Sequence, residues 1–400
     1  MPVHQSADSM PQAESIRLFL CGDLMTGRGI DQVLRHPNDP TLHEPYLDDA
    51  RSYVKLAESV NGAIPWPVEF DYIWGDALAE LDRAGVDLRI VNLETSITSS
   101  ENYWRHKEIH YRMHPRNIDC IAVARIDCCC LANNHVLDWG YDGLAETLNT
   151  LDAAGIAHTG AGHDAREAAA PAVLDVPEKG RVLVFSYASP TSGVPREWAA
   201  TAEKPGVNFL EDISEETARR IAREMLRFNR EHDVIVASIH WGGNWGYHIR
   251  NEEIRFAHQL IEEGIAVVHG HSSHHVKTAE IYNDRLVLYG CGDFLNDYEG
   301  ISGYEVFRSD LTLMYLLAIN PRRGQLVGTR LVPMRIARFR LNRSAETDAK
   351  WLCGLLNQLG APLATRYELA SDEIRSLNSL TLGHREPASE RFYIARNANT

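Results

Sequence analysis

Residues 266–276 read AVVHGHSSHHV, and this stretch decides how the rest of the chain is interpreted. An apolar run at residues 265–268 stops abruptly at four histidines, His269, His271, His274 and His275. A short apolar run closed by glycine is typical of a buried strand that reaches the edge of its sheet. Ligands of α/β proteins bind just beyond the carboxyl ends of strands, and neutral histidine is the commonest metal ligand. The stretch therefore predicts a metal site at the end of a strand, with a loop of solvated histidines as the alternative.

The same pattern recurs elsewhere in the chain, where an apolar run ends in carboxylate, amide or imidazole side chains. The runs and the residues that follow them are 16–21 before Asp23, 86–92 before Glu94, 127–131 before Asn134 and His135, and 234–239 before His240. Taken alone, Asp23 is either a metal ligand or a helix cap. Together, these strand ends predict one site built from several neighbouring strands.

The donor types in this set indicate which metals it suits. Carboxylate, amide and imidazole groups without a thiolate favour Mn, Fe, Zn or Mg over a soft metal. A carboxylate that lies between two groups of ligands can bridge two ions about 4 Å apart. The sequence thus predicts two divalent metal ions.

Cationic side chains follow two of the predicted strands. Arg28 comes soon after the first strand, and residues 99–116 hold His106, Lys107, His110, Arg112 and His114. Arginine binds phosphate and carboxylate groups through two parallel hydrogen bonds. We therefore expect Arg28, with one of Lys107, Arg105 or Arg112, to bind an anionic substrate, although a solvated loop also explains the second group.

Composition and charge restrict the class of protein. The chain has 400 residues, of which 44% are hydrophobic, and this is enough for one large domain or two smaller ones. A formal net charge of −15 repels polyanions, so we expect no nucleic-acid partner. We also expect no membrane anchor, because no apolar stretch is long enough to cross a bilayer. Residues 1–15 lack the features of a signal peptide and are predicted to be a disordered lead.

The seven cysteines also bear on localisation. Their number is odd, most lie in or beside apolar runs, and none forms a CxxC pair. This usage is typical of buried, reduced thiols rather than of a disulfide framework. A cytoplasmic location is therefore expected.

Alternating strands and helices predict an α/β fold. Helices are expected at 76–84, at 144–151 with a stop at Gly155, at 214–230, at 254–261 and at 345–359, and two long strands at 311–319 and 326–335. We interpret residues 16–335 as the main domain, in which 36–75, without a clear period, is an insertion or lid. Residues 336–400 are interpreted as a C-terminal helical and polar extension.

The order of motifs GDLMTGR, NLE, ANNHVLDWG, SIHWG, GHSSHH and YGCGDF resembles the CapA, or poly-γ-glutamate capsule-synthesis accessory, branch of the calcineurin-like metallophosphatases. The resemblance covers residues 16–300. It implies a four-layer α/β/β/α sandwich with two metal ions at the sheet edges.

The resemblance also implies roles for single residues. The implied ligands are Asp23, Glu94 as the bridging carboxylate, Asn134, His240, His271 and His274, and His135 is the histidine that acts on substrate. This chain departs from the wider superfamily in three ways. It has Met25 where the first motif usually has a histidine, glutamate in place of the bridging aspartate, and GHxxH in place of GHxH, so that His275 competes with His274 as the ligand.

The functional expectation is a soluble dinuclear metal-dependent hydrolase in which metal-activated water attacks a phosphoester or a γ-glutamyl-type amide. The alternative is a non-catalytic accessory subunit of a poly-γ-glutamate synthesis complex. The expected partners are a small anionic or γ-glutamyl substrate and the proteins of capsule-polymer synthesis.

Overall fold

A computed structural model describes residues 15–105 and 107–377. The predicted N-terminal lead, apart from Ser15, lies outside the described residues, as do His106 and the last part of the predicted extension, residues 378–400.

The strands of the described chain run in the order β1 Ile16–Leu24, β2 Leu88–Leu93, β3 Ser96–Ile97, β4 Arg112–Met113, β5 Cys128–Cys130, β6 Ala157–Thr159, β7 Ala161–Gly162, β8 Ala172–Val176, β9 Gly180–Ala188, β10 Gly206–Val207, β11 Asp233–His240, β12 Val267–His271, β13 Ala279–Tyr282, β14 Arg285–Leu288, β15 Asp293–Leu295, β16 Leu311–Asn320, β17 Gln325–Ile336, β18 Leu341–Arg343, β19 Tyr367–Ala370 and β20 Glu373–Ser376. The helices are α1 Gly29–Val33, α2 Arg51–Asn61, α3 Asp76–Ala84, α4 Asp119–Ala122, α5 Gly140–Ala153, α6 Ala165–Ala168, α7 Glu215–Leu226, α8 Asn251–Glu262 and α9 Glu346–Gly360.

Two large sheets form the centre of the molecule. The first has the strand order β19-β20-β17-β16-β1-β2-β5-β6, with β15 paired to β1 and β18 to β17. The second has the order β13-β14-β12-β11-β9-β8. Strands β1, β2, β5 and β6 are parallel, as are β9, β11, β12 and β14. Carboxyl ends of neighbouring strands therefore lie together at one edge of each sheet.

The two faces of each sheet contribute to different cores, because successive strand residues point to opposite sides. In β1, Leu18 and Leu20 pack between the two sheets, whereas Phe19 and Cys21 pack against outer helices. A third core lies between the second sheet and the helices α7 and α8. The layers are thus helix, sheet, sheet and helix, which confirms the expected four-layer α/β/β/α fold.

Residues 36–75 contain a helix that the sequence analysis did not identify. Helix α2 places Tyr53, Val54 and Ala57 in the core of the first sheet, while the rest of its surface is more accessible. Only one narrow face of α2 is apolar, so its period was hidden among polar residues. The segment is a packed layer of the fold, and its role as a lid stays a prediction.

The C-terminal segment completes the first sheet. Strand β18 pairs with β17, and the hairpin of β19 and β20 pairs with β17 through β20. Leu352 and Leu356 of helix α9 pack in the core between the sheets. The division of the chain at residue 335 stays a prediction. None of the helices in the described residues is long and apolar enough to span a membrane.

Candidate metal centre

The centre begins where β1 meets β15. Asp23 and Asp293 are register partners on these parallel strands, and the amide of Asp23 donates to the Gly292 carbonyl at 3.0 Å. A Cβ at Gly22 would lie 1.6 Å from the Gly292 oxygen, so only glycine allows the two strands to approach this closely. The approach brings both carboxylates to the same point.

Asp23 belongs to a first group of buried donor atoms with His240 and His271, all within 4.8 Å of one another. The Nδ1 of His271 lies 3.6 Å from Asp23 Oδ1 and 2.8 Å from His240 Nδ1. His240 and His271 are register partners at the ends of β11 and β12. The group therefore joins the first sheet to the second.

Asp23 also belongs to a second group, with His274 and Asp293. His274 Nδ1 lies 2.9 Å from Asp293 Oδ1, and Asn296 donates to the other Asp293 oxygen at 2.7 Å. The neighbouring His275 packs against Phe307 instead, with ring centroids 4.8 Å apart. His274, not His275, is thus the imidazole beside the carboxylates.

Asp293 was not among the predicted site residues. It lies in the motif YGCGDF, but the apolar run before it ends at Tyr289, before a glycine-containing turn. A carboxylate four residues after a predicted strand end was the available signal. Its pairing with Asp23 depends on β15 folding back along β1, which is not visible in the local sequence.

Glu94 and Asn134 lie on the same side of the centre. The Asn92 side chain donates to Asp23 Oδ1 at 2.7 Å and to Glu94 Oε2 at 3.1 Å. Glu94 Oε1 lies 3.9 Å from His240 Nε2, and Asn134 Oδ1 lies 2.8 Å from that same nitrogen. The structure therefore brings all six predicted ligands into one cluster, to which it adds Asp293.

The electrostatics of the cluster suit a divalent cation. Burial, together with the neighbouring Asp293, raises the pKa of Asp23 to about 7, and burial raises the pKa of Glu94 well above its ordinary value. Burial also lowers the pKa of His240 and His271 well below the ordinary range. Burial disfavours both the ionised carboxylates and the protonated imidazoles, and a bound divalent cation would stabilise the ionised carboxylates beside neutral imidazoles. These residues fit the metal ions that the resemblance implies.

His135 lies beside the cluster and is held from behind. Its Nε2 lies 3.8 Å from Glu94 Oε1, and its Nδ1 lies 2.6 Å from Asp138 Oδ2. The Nζ of Lys107 lies 2.8 Å from His135 Nδ1 and also forms a short ion pair with Asp138 Oδ1. The amide of Tyr111 donates to Asp138 Oδ2 at 2.6 Å. One ring nitrogen of His135 is thus anchored while the other faces the candidate ligands.

Lys107 is one of three predicted substrate-binding cations, and the other two, Arg28 and Arg112, already have protein partners. The guanidinium of Arg28 donates to Asp297 and Glu44 and to the Tyr53 hydroxyl, and it lies between the rings of Tyr53 and Tyr111. Every nitrogen of this guanidinium has a protein partner.

Arg112 is engaged away from the ligand cluster. It donates to the Ser100 carbonyl and to Glu101, and its guanidinium lies 3.8 Å from the centroid of the Trp139 ring. Of the three predicted cations, Lys107 is therefore the one in contact with His135, whereas Arg105 is exposed.

Comparisons with known proteins show the family of the chain. The family model described as bacterial capsule synthesis protein PGA_cap matches residues 17–298. The chain is 44% identical over 360 residues to the "Probable polyglutamine synthesis accessory protein" of Mycobacterium tuberculosis, covering 90% of this chain and 95% of the relative. It is 23% identical over 231 residues to the "PGA biosynthesis protein CapA" of Bacillus subtilis, covering 57% of each.

Among solved structures, the chain is similar to a 5′-nucleotidase precursor from Thermus thermophilus, with a TM-score of 0.42 and 14% identity over 87% of this chain and 59% of that one. The family match spans the strands and loops that supply Asp23, Glu94, Asn134, His240, His271, His274 and Asp293. The chain belongs to the PGA_cap family of bacterial capsule synthesis proteins.

Proposed function

We propose that the chain is a metal-dependent hydrolase with a dinuclear centre that acts on an anionic or γ-glutamyl substrate. The observation that carries the proposal is the pair of buried donor groups, Asp23 with His240 and His271, and Asp23 with His274 and Asp293. The two groups share Asp23, and ligand groups that share a carboxylate suit a two-metal site. The bridging role of Glu94 that the resemblance implies stays a prediction.

The residues of the site have separate tasks in this proposal. The two donor groups, with Glu94 and Asn134, would hold two divalent ions, which when bound lower the pKa of water and polarise the bond under attack. The Nε2 of His135 faces the candidate ligand Glu94, while Asp138 and Lys107 keep its ring in place. From there His135 can transfer a proton to the leaving group.

A cavity of about 250 Å³ lies beside two residues that contact candidate ligands, although none of the candidate ligands themselves lines it. Asn296 and Tyr298 form part of its wall, and the Tyr298 hydroxyl lies 3.5 Å from His274 Nε2. Arg308 also lines the cavity, where it is paired with Asp310 and Asp348. An anionic group bound in this cavity would lie near the guanidinium of Arg308, which already forms two ion pairs within the protein.

The test is turnover by the purified chain with added Mn²⁺, on a chromogenic phosphoester and on a chromogenic γ-glutamyl anilide. We expect hydrolysis of one of the two, abolished in Asp23→Asn and kept in Asp233→Asn, which removes a carboxylate that pairs with Arg181 at the opposite end of β11 from His240. If neither substrate is turned over by the metal-loaded wild type, the catalytic proposal is wrong.

The names of the relatives favour a second candidate, a non-catalytic accessory subunit of a polymer-synthesis complex. In that case the partners are capsule-polymer synthesis proteins, and the metal ions would serve structure. Polymer synthesis that needs the chain but survives Asp23→Asn would support this candidate. A cytoplasmic location belongs to both proposals, and localisation of a tagged chain by cell fractionation tests it.

A further inference from the structure

Two buried polar residues lie directly behind the candidate ligands of the second sheet. On β11, Ser238 precedes His240 by two residues, and on β12, His269 precedes His271 by two. The strands are parallel, with Ser238 beside His269 and His240 beside His271. Residues two apart in a strand share a face, so these four side chains form a patch that faces the first sheet. All four are buried.

The carbonyl of Cys21 fixes the direction of the hydrogen bonds behind His271. The Nε2 of His269 lies 2.7 Å from the carbonyl oxygen of Cys21 on β1. A carbonyl oxygen can only accept, so this nitrogen carries a proton. His269 is fully buried with no carboxylate within ion-pair distance in the described residues, and such an imidazole is neutral. Its Nδ1 is therefore an acceptor.

The direction of the remaining bonds follows from this starting point. Ser238 Oγ lies 3.1 Å from His269 Nδ1 and 2.8 Å from His271 Nε2. A hydroxyl has one proton, and Ser238 donates it to His269. Ser238 must then accept from His271, so the proton of His271 is on Nε2. The lone pair of His271 is left on Nδ1, which is directed toward His240 and Asp23.

We propose that Ser238 and His269 are positioning residues that hold His271 in the one tautomer able to bind a cation through Nδ1. The inference rests on the proposed metal centre and gives a role to two residues to which the resemblance assigns none. A free neutral imidazole has two tautomers, and the other one would present an N–H group to the ion. Partners of this kind contribute about 10- to 100-fold to metal affinity.

The first test is Mn²⁺ binding to the purified chain by calorimetry, with Ser238→Ala against the wild type. We expect Ser238→Ala to bind Mn²⁺ about 10- to 100-fold more weakly. The matched control is Ser186→Ala, because Ser186 is the register partner of Ser238 on β9, is equally buried, and bonds to the Ala132 amide instead. The control should keep wild-type affinity, and melting temperatures show whether both variants fold.

The second test reads the tautomer directly. Nitrogen NMR of ¹⁵N-histidine-labelled, metal-free protein should place the His271 proton on Nε2 in the wild type. In Ser238→Ala it should show a mixture of the two neutral tautomers, with the proton on Nε2 in some molecules and on Nδ1 in others. Equal Mn²⁺ affinity of Ser238→Ala and wild type, or a wild-type His271 proton on Nδ1, would overturn the inference. A wild type that binds no Mn²⁺ would instead contradict the proposed metal centre itself.

Discussion

At the scale of single residues, Asn134 and His135 are adjacent in sequence but face different partners. Asn134 contacts His240, whereas His135 is anchored by Asp138 and Lys107. We therefore expect Asn134→Ala to lower metal content and His135→Ala to leave it nearly intact. His135→Ala should lose about 10²- to 10⁴-fold in turnover, because a positioned general acid contributes that much. Elemental analysis and kinetics on the pair check this. Loss of metal from His135→Ala as complete as from Asn134→Ala would show that the roles are assigned wrongly.

Asp293 offers a second test at this scale. It completes the donor group of Asp23 and His274, so Asp293→Asn removes one of the two carboxylates of that group with almost no change in volume. We expect the metal content to fall from about two ions per chain to about one. The matched control is Asp310→Asn, whose carboxylate pairs with Arg308 and Arg335. Two ions retained in Asp293→Asn would exclude Asp293 as a ligand.

At the scale of an element, strand β5 carries three adjacent cysteines between β2 and β6. Cys128 and Cys130 pack between the sheets, Cys129 packs on the other face, and all three are fully buried. Burial raises the pKa of Cys129, which further lowers its reactivity. We expect these thiols to react with a labelling reagent only after denaturation, as followed by mass spectrometry. Cys353 on α9 is the internal control, because it is 8% exposed and should react first. Fast labelling of β5 in the native protein would contradict its position.

Elements also show what the sequence could and could not predict. Central strands such as β1 and β11 were predictable, because buried strands of a parallel sheet are continuous apolar runs. Most of the site was also predictable, because its polar residues directly follow these apolar runs. Asp293 was missed because β15 is short and follows a turn. The ion pairs of Arg28 were missed because its partners Glu44 and Asp297 come from distant segments.

At the scale of the whole molecule, the candidate ligands come from both sheets. Asp23 belongs to the first sheet and His240 and His271 to the second, so a bound ion would hold the sheets together. A ligand at 100 times its Kd stabilises a folded protein by about 2.7 kcal/mol. We expect Mn²⁺ to raise the melting temperature by several degrees and EDTA to reverse the change, as measured by calorimetry. Asp23→Asn should melt at the same temperature with and without Mn²⁺. A wild-type melting temperature that does not change when Mn²⁺ is added would contradict an ion bound between the sheets.

The position of Asp23 in both donor groups has a consequence for how ions enter the centre. The first ion would deprotonate this carboxylate and fix its orientation, and the second would then meet a ligand that is already ionised and ordered. Because such coupling is reciprocal, either ion would assist the other. Uptake should then be cooperative, with few chains holding a single ion at half-saturation, so that the chain responds to metal supply as a threshold rather than in proportion.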